Sequence, residues 1–233
     1  MSLIRNQGRA AGLLYLLLTI AAPFRLIFIP GKLIVQENAS ATAGNIAAHE
    51  TMFRLGMASD LFCGVILIFL VLALYRLFQG IDRNTAVLMV VLGGVLPSAI
   101  DFFNVLNDAA ALTLVRGAPY LSVFDPPQRE ALAMLFLRLH GQEIAAAEVF
   151  WGLWLLPFAA LVYRSGFLPR FLGVWLAVNG VAYVGLSATG LLLPQYEATV
   201  STVTFPALLG EMAIMLWLVI RGAEPKAKEA AAG

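Results

Sequence analysis

From about Met57 to Leu77 the chain reads MASDLFCGVILIFLVLALYRL, with only Asp60 and Arg76 charged. A run of roughly 20 apolar residues is what a helix needs to cross a bilayer. Comparable runs recur from about Arg9 to Ile29, Thr85 to Leu106, Ile144 to Tyr163, Phe171 to Leu193 and Val203 to Ile220. In lipid every backbone amide must bond within its own segment, so such runs are helices. The fold class that follows is all-α: a polytopic integral membrane protein, a bundle of six transmembrane helices. Only 12% of the 233 residues are charged and 61% are hydrophobic, against roughly 25% charged in a soluble domain. A globule in water could not be covered with so little polar surface.

Residues 1–222 read as one transmembrane domain, and 223–233, ending in EPKAKEAAAG, as a disordered cytoplasmic tail. Arg5 and Arg9 before AAGLLYLLLTIAA resemble a secretory signal, but no polar segment follows a small-residue cleavage site, so an uncleaved first helix is expected. Pro30-Gly31-Lys32 reads as its stop, and Pro97 as a kink in the third. No internal repeat stands out.

Basic residues set the orientation. Arg5, Arg9, Arg76, Arg83, Arg164, Arg170, Arg221, Lys226 and Lys228 gather at one set of helix ends; Lys32, Arg116, Arg129 and Arg138 gather at the other. Nine against four puts both termini in the cytoplasm. Two helices look longer than their spans require. AGNIAAHETMFRLG precedes Met57 with Glu50 and Arg54 at i,i+4, and REALAMLFLRLHGQE precedes Ile144, starting after Asp125-Pro126-Pro127. Both extensions face the extracytoplasmic side, where a helical crown is expected. Gly173, Ala177 and Gly180 give the fifth helix a small-residue face suited to close packing.

Polar residues within the spans favour the outer half. An ionisable group at bilayer depth costs about 2.5–3.5 kcal/mol on insertion scales, so it is paired, near an interface or facing water. Arg25, Asp60, Asp101 and Glu148 lie about a turn from the outer ends. Glu211 and Asn179 are near mid-membrane. At 100° per residue Asp101, Asn104 and Asp108 fall within about 60°, while Asn107 points elsewhere. His49 and Asp60 share a face, as do His140 and Glu143. The expected arrangement is an outward-facing polar cavity lined by Arg25, His49, Arg54, Asp60, Asp101, Asn104, Asp108, His140, Glu143, Glu148 and Asn179, with Glu211 as its floor. The alternatives are structural: pairing of Asp60, Asp101 and Glu148 with Arg25 or Arg54, Asn107 and Asp108 as a helix end, and Glu211 bonded to Asn179 or a backbone carbonyl.

The single Cys63 excludes an internal disulfide. No HExxH spacing supports zinc, so no metal is assigned, and the cofactor is unknown. A net charge of +1 gives no case for nucleic acid. The expected partners are the lipid bilayer and a small amphipathic or lipid-like ligand; the sequence leaves the oligomeric state open. Carboxylates in separate environments suit acid–base chemistry on a lipophilic substrate. Proton- or cation-coupled transport is the alternative, with Glu211 on a helix carrying Pro206 in its first turn.

GRAAGLLYLLLTIAAPF, MFRLGMASDLFCGVILIFLVLALYRLF, YRSGFLPRFLGVWLAVNGVAYV and LLGEMAIMLWLVIRG resemble a bacterial membrane family known as domain of unknown function 4386. The resemblance covers nearly the whole chain. It implies six helices in a bacterial cell membrane, transfers no catalytic residue, and draws attention to Arg54, Asp60 and Glu211.

Overall fold

The computed structural model describes residues 3–224, so the expected tail lies almost wholly outside the described residues. Most of those residues are helical, and none is in a strand. Six helical runs are long and apolar enough to cross a membrane: Leu3–Leu33, Glu50–Phe78, Arg83–Arg116, Pro126–Ser165, Arg170–Leu192 and Pro194–Ile220. They are the first to sixth spans below.

The runs exceed the apolar segments because their polar ends are helical too. The second span starts at Glu50, which accepts from Arg54 Nε at 2.7 Å one turn on. The fourth starts at Pro126, where Asp125 Oδ1 accepts from the Gln128 N–H at 2.9 Å and Gln128 Oε1 accepts from the Asp125 N–H at 3.0 Å. This reciprocal cap satisfies two amide donors that the first turn leaves free. The sixth span begins well before Val203, so Pro206 is interior to it rather than in its first turn. A separate helix, Ala39–Ala48, is capped by Asn38, whose Oδ1 accepts from the Ala41 N–H at 2.9 Å.

One proline acts differently from expectation: Pro30 does not stop the first helix, which continues to Leu33. At Pro97, where a kink is expected, the helix changes type. In both places a π-turn precedes the proline: Phe24–Phe28 and Val91–Val95. The N–H of Ile29 reaches the Phe24 carbonyl, and that of Leu96 reaches the Val91 carbonyl, five residues back. A proline has no N–H for the carbonyl four residues earlier. Widening the preceding turn reroutes the ladder without ending the helix.

The chain resolves into two compact units. Among the described residues, one holds 3–18, 66–98 and 145–224, the other 19–65 and 99–144. In the first unit the core is built by Leu70, Leu74, Phe78, Met89, Leu155, Phe158, Leu172 and Leu218 among others. Glycines set its closest approaches. A Cβ on Gly180 would stand 2.7 Å from the Gly152 carbonyl oxygen, and one on Gly173 would stand 2.8 Å from that of Ala159. The expected small-residue face of the fifth span is therefore where the fourth span packs. Gly180→Ala forces backbone apart and costs about 1–3 kcal/mol, read as a lower thermal midpoint in mild detergent.

Asp82 caps the third span. Its Oδ1 accepts from the Thr85 N–H at 3.1 Å and its Oδ2 from the Thr85 hydroxyl at 2.8 Å. These bonds, with Arg164 beside them, hold its carboxyl below the usual carboxylate range. A depressed folded-state value means the cap stabilises above the unfolded pKa and is lost as pH falls through the folded one. Asp82→Ala therefore lowers the thermal midpoint at neutral pH, and the gap from wild type closes as pH falls below about 4.

The second unit has its own core: Ile29, Leu33, Ile46, Phe53, Ala111, Leu112, Ala133 and Leu137.

Candidate functional site

Arg25 lies inside the Phe24–Phe28 π-turn and is 2% exposed. Because the first span continues to Leu33, this guanidinium sits about two turns from the helix end rather than one. Its Nε donates to Asp60 Oδ2 at 3.0 Å and to Asp108 Oδ2 at 3.2 Å. Its Nη2 donates to both Asp108 oxygens at 2.7 Å and meets His140 Nδ1 at 3.1 Å. Four helical runs thus converge on one guanidinium, all within the second unit.

The residues reach it for local reasons. Asp60 stands one turn beyond Gly56, where a Cβ would come within 3.3 Å of the Arg25 side chain, so glycine makes room for the arginine stem. Asp108 has no exposure at all. The third span runs to Arg116, so Asn107 and Asp108 are interior to the helix and not its end. The same extension leaves Asp101 about four turns from that end instead of one.

His140 is 5% exposed. His140 Nδ1 also lies 3.4 Å from Asp108 Oδ2. A guanidinium donates and never accepts, so the closer contact with Arg25 at 3.1 Å assigns Nδ1 as acceptor and the ring proton to Nε2. That Nε2 is buried and has no hydrogen-bond partner among the described residues. An unmet buried donor costs about 1–3 kcal/mol.

Beside this core runs a polar chain. Asn104 Nδ2 donates to the His140 carbonyl at 3.1 Å, and Asn107 Nδ2 donates to Asn104 Oδ1 and to Glu143 Oε2, each at 3.0 Å. Asn107, expected to point elsewhere, joins Asn104 to Glu143. The i,i+3 spacing of Asn104 and Asn107, which brings side chains together on a helix surface, was the signal that could have found it.

The other residues of the expected cavity are not hydrogen-bonded to this cluster among the described residues. His49 is exposed, ends the Ala39–Ala48 helix and bonds its Nδ1 to the Asn45 carbonyl at 3.1 Å. Arg54 is exposed and paired with Glu50. Asp101 is partly buried with no hydrogen bond or ion pair among the described residues. Glu148, Asn179 and Glu211 belong to the first unit. Asn179 is fully buried; its Nδ2 donates to the Leu208 carbonyl at 3.3 Å, while its Oδ1 has no partner among the described residues. Among the described residues Glu211 is bonded by neither Asn179 nor a backbone carbonyl. Tyr15 of the first span and Tyr183 of the fifth donate to its carboxyl group. Sequence reasoning missed both tyrosines, which count as apolar in a hydropathy sum although each carries an O–H that needs a partner when buried. Two charge-assisted bonds contribute about 1.5–3 kcal/mol each, comparable with the ~2.5–3.5 kcal/mol cost of a mid-membrane charge.

One ligand atom from each of Asp60, Asp108 and His140 lies within 4.8 Å of the others, a spacing that can hold a metal ion. Arg25 bonds all three, so the cation of this cluster is the guanidinium itself. A metal placed among them would face its positive charge.

No curated protein and no solved structure matches the chain. A family profile described as "Domain of unknown function (DUF4386)" matches residues 10–222. This six-span helical membrane protein therefore belongs to the domain of unknown function 4386 family.

Proposed function

We propose that the second unit binds a small amphipathic or lipid-like ligand, whose polar head meets the cluster of Arg25, Asp60, Asp108 and His140. The observation that carries this reading is the buried His140 Nε2–H without an acceptor. Native interiors leave few polar atoms unpaired, and an orphan beside a cluster of charges is where a ligand oxygen or nitrogen belongs. Charge narrows the head group. Arg25 faces both Asp60 and Asp108, and Asp101 and Glu143 of the same unit have no basic partner among the described residues. A phosphate or carboxylate head would meet an excess of negative charge. A hydroxyl or an uncharged amine, which can accept from Nε2–H and donate to Asp60 or Asp101, fits. Acid–base chemistry on such a head would use those same carboxyls. The basic-residue asymmetry supports an orientation with this unit extracytoplasmic and both termini cytoplasmic, in what we read as a bacterial inner membrane.

A second reading, proton- or cation-coupled transport of such a molecule, is favoured by Glu211, an acid within the sixth span with no basic partner among the described residues.

Unbiased mass spectrometry of what survives purification in mild detergent tests the first reading. Wild type is expected to retain a hydroxyl- or amine-headed molecule enriched over bulk lipid, and His140→Leu to lose it. The same molecules at the same occupancy in both proteins would overturn it.

A further inference from the structure

The first unit contains a second arrangement that needs no molecule in the other unit. Glu211 receives hydroxyl donors from two different spans, Tyr15 and Tyr183. Each tyrosine is held by a tryptophan of the fourth span: Trp154 lies 6.3 Å from the Tyr15 ring and Trp151 lies 6.0 Å from that of Tyr183. Their indoles fix the donors and bring no charge to the carboxyl.

The charged groups on the packed helices are engaged elsewhere or carry the wrong sign. Arg5 pairs with Glu224, and Arg9 donates to the Ile220 carbonyl, at the far end of the sixth span. Arg170 of the fifth span lies over the Tyr163 ring. The fourth-span group that acts on Tyr183 is Glu148, an acid. Among the described residues, no cation neutralises Glu211.

From this geometry we propose that Glu211 is a reversible proton-binding site, with Tyr15 and Tyr183 as its fixed donors. The carboxylate accepts from two tyrosine hydroxyls. On the adjoining fifth span Asn179 has a buried Oδ1 without a donor among the described residues, its Nδ2 bonded to the Leu208 carbonyl one turn before Glu211. A metal cation is the poorer occupant. Hard cations take about six or more oxygen ligands, and this site offers one carboxyl group and two hydroxyls already turned toward it. A proton needs no such shell. The inference shares its acid with the transport reading but requires neither transport nor ligand binding.

Infrared difference spectra of the full-length protein in proteoliposomes, recorded across about pH 5 to 9, where buried carboxyls titrate, provide the test. Acidification is expected to produce a protonated-carboxyl C=O band that is absent from Glu211→Gln. Tyr15→Phe removes one donor to the carboxylate and is expected to tighten proton binding about tenfold, moving the midpoint up by about one pH unit. Tyr183→Phe does the same and serves where Tyr15→Phe fails to fold. A role that only holds helices together would leave the midpoint in place. Identical difference spectra for wild type and Glu211→Gln, or a midpoint that sodium displaces at fixed pH, would overturn the assignment. Either outcome leaves the His140 reading untouched, because no ligand of the second unit enters the measurement.

Discussion

Arg25→Met destabilises the protein by about 3–5 kcal/mol, because it leaves the fully buried Asp108 without its counter-charge. Four donor contacts to carboxylates disappear with the guanidinium, along with the donor that fixes the His140 tautomer. The loss is read as a fall in the thermal midpoint in mild detergent. Its companion is the triple variant Arg25→Met, Asp60→Leu, Asp108→Leu, in which the whole ionic group becomes apolar. Replacing a buried ion pair by hydrophobic residues of similar volume is often neutral or stabilising, so the triple variant recovers most of the single variant's loss. A stable triple variant means that the fold does not require these charges. Their presence then calls for another reason, which the proposed ligand supplies. If Arg25→Met melts like wild type, the guanidinium is not the counter-ion of this cluster.

Trp154→Ala produces a loss of similar size in the first unit, about 3 kcal/mol or more. Trp154 is 4% exposed, stacks on Phe158 with centroids 5.4 Å apart, and lies 6.3 Å from Tyr15. Its indole also fills the space where a Cβ on Gly93 would stand, 2.7 Å away. Lipid tails are as apolar as the core, so the penalty is lost packing rather than exposure to water. The variant also frees the Tyr15 ring, so the Glu211 proton midpoint is expected to broaden along with the fall in thermal midpoint. An unchanged thermal midpoint would show that the fourth span is not seated on this residue.

The six spans and the lengthened second and fourth helices were legible because length, hydropathy and capping signals act locally. The Gly173–Gly180 face was legible for the same reason: small residues at helical spacing have few other uses in a span. The π-turns were not, since Pro30 and Pro97 look the same in sequence whether the helix stops, kinks or widens. Reading Pro30 as a stop placed Arg25 too near the surface. Ending the third helix at Leu106 likewise made Asp108 look like a terminal residue. The ion pairs were half legible. Asp60 was matched to Arg25 as a structural alternative, but Asp108, 83 residues from Arg25, is its closer partner. No spacing rule connects residues on different spans at that separation. Glu211 drew attention as an unpaired acid, whereas its partners did not, because tyrosines in an apolar run carry no marker of what their hydroxyls will meet.

Electron cryo-microscopy of the protein in native-lipid nanodiscs addresses the His140 site most directly. The account predicts non-protein density with a polar atom about 2.7–3.2 Å from His140 Nε2, weakened in His140→Leu while the Arg25–Asp108 pair persists. An Nε2 bonded to a protein group, or facing only acyl chains in a well-ordered map, would contradict it.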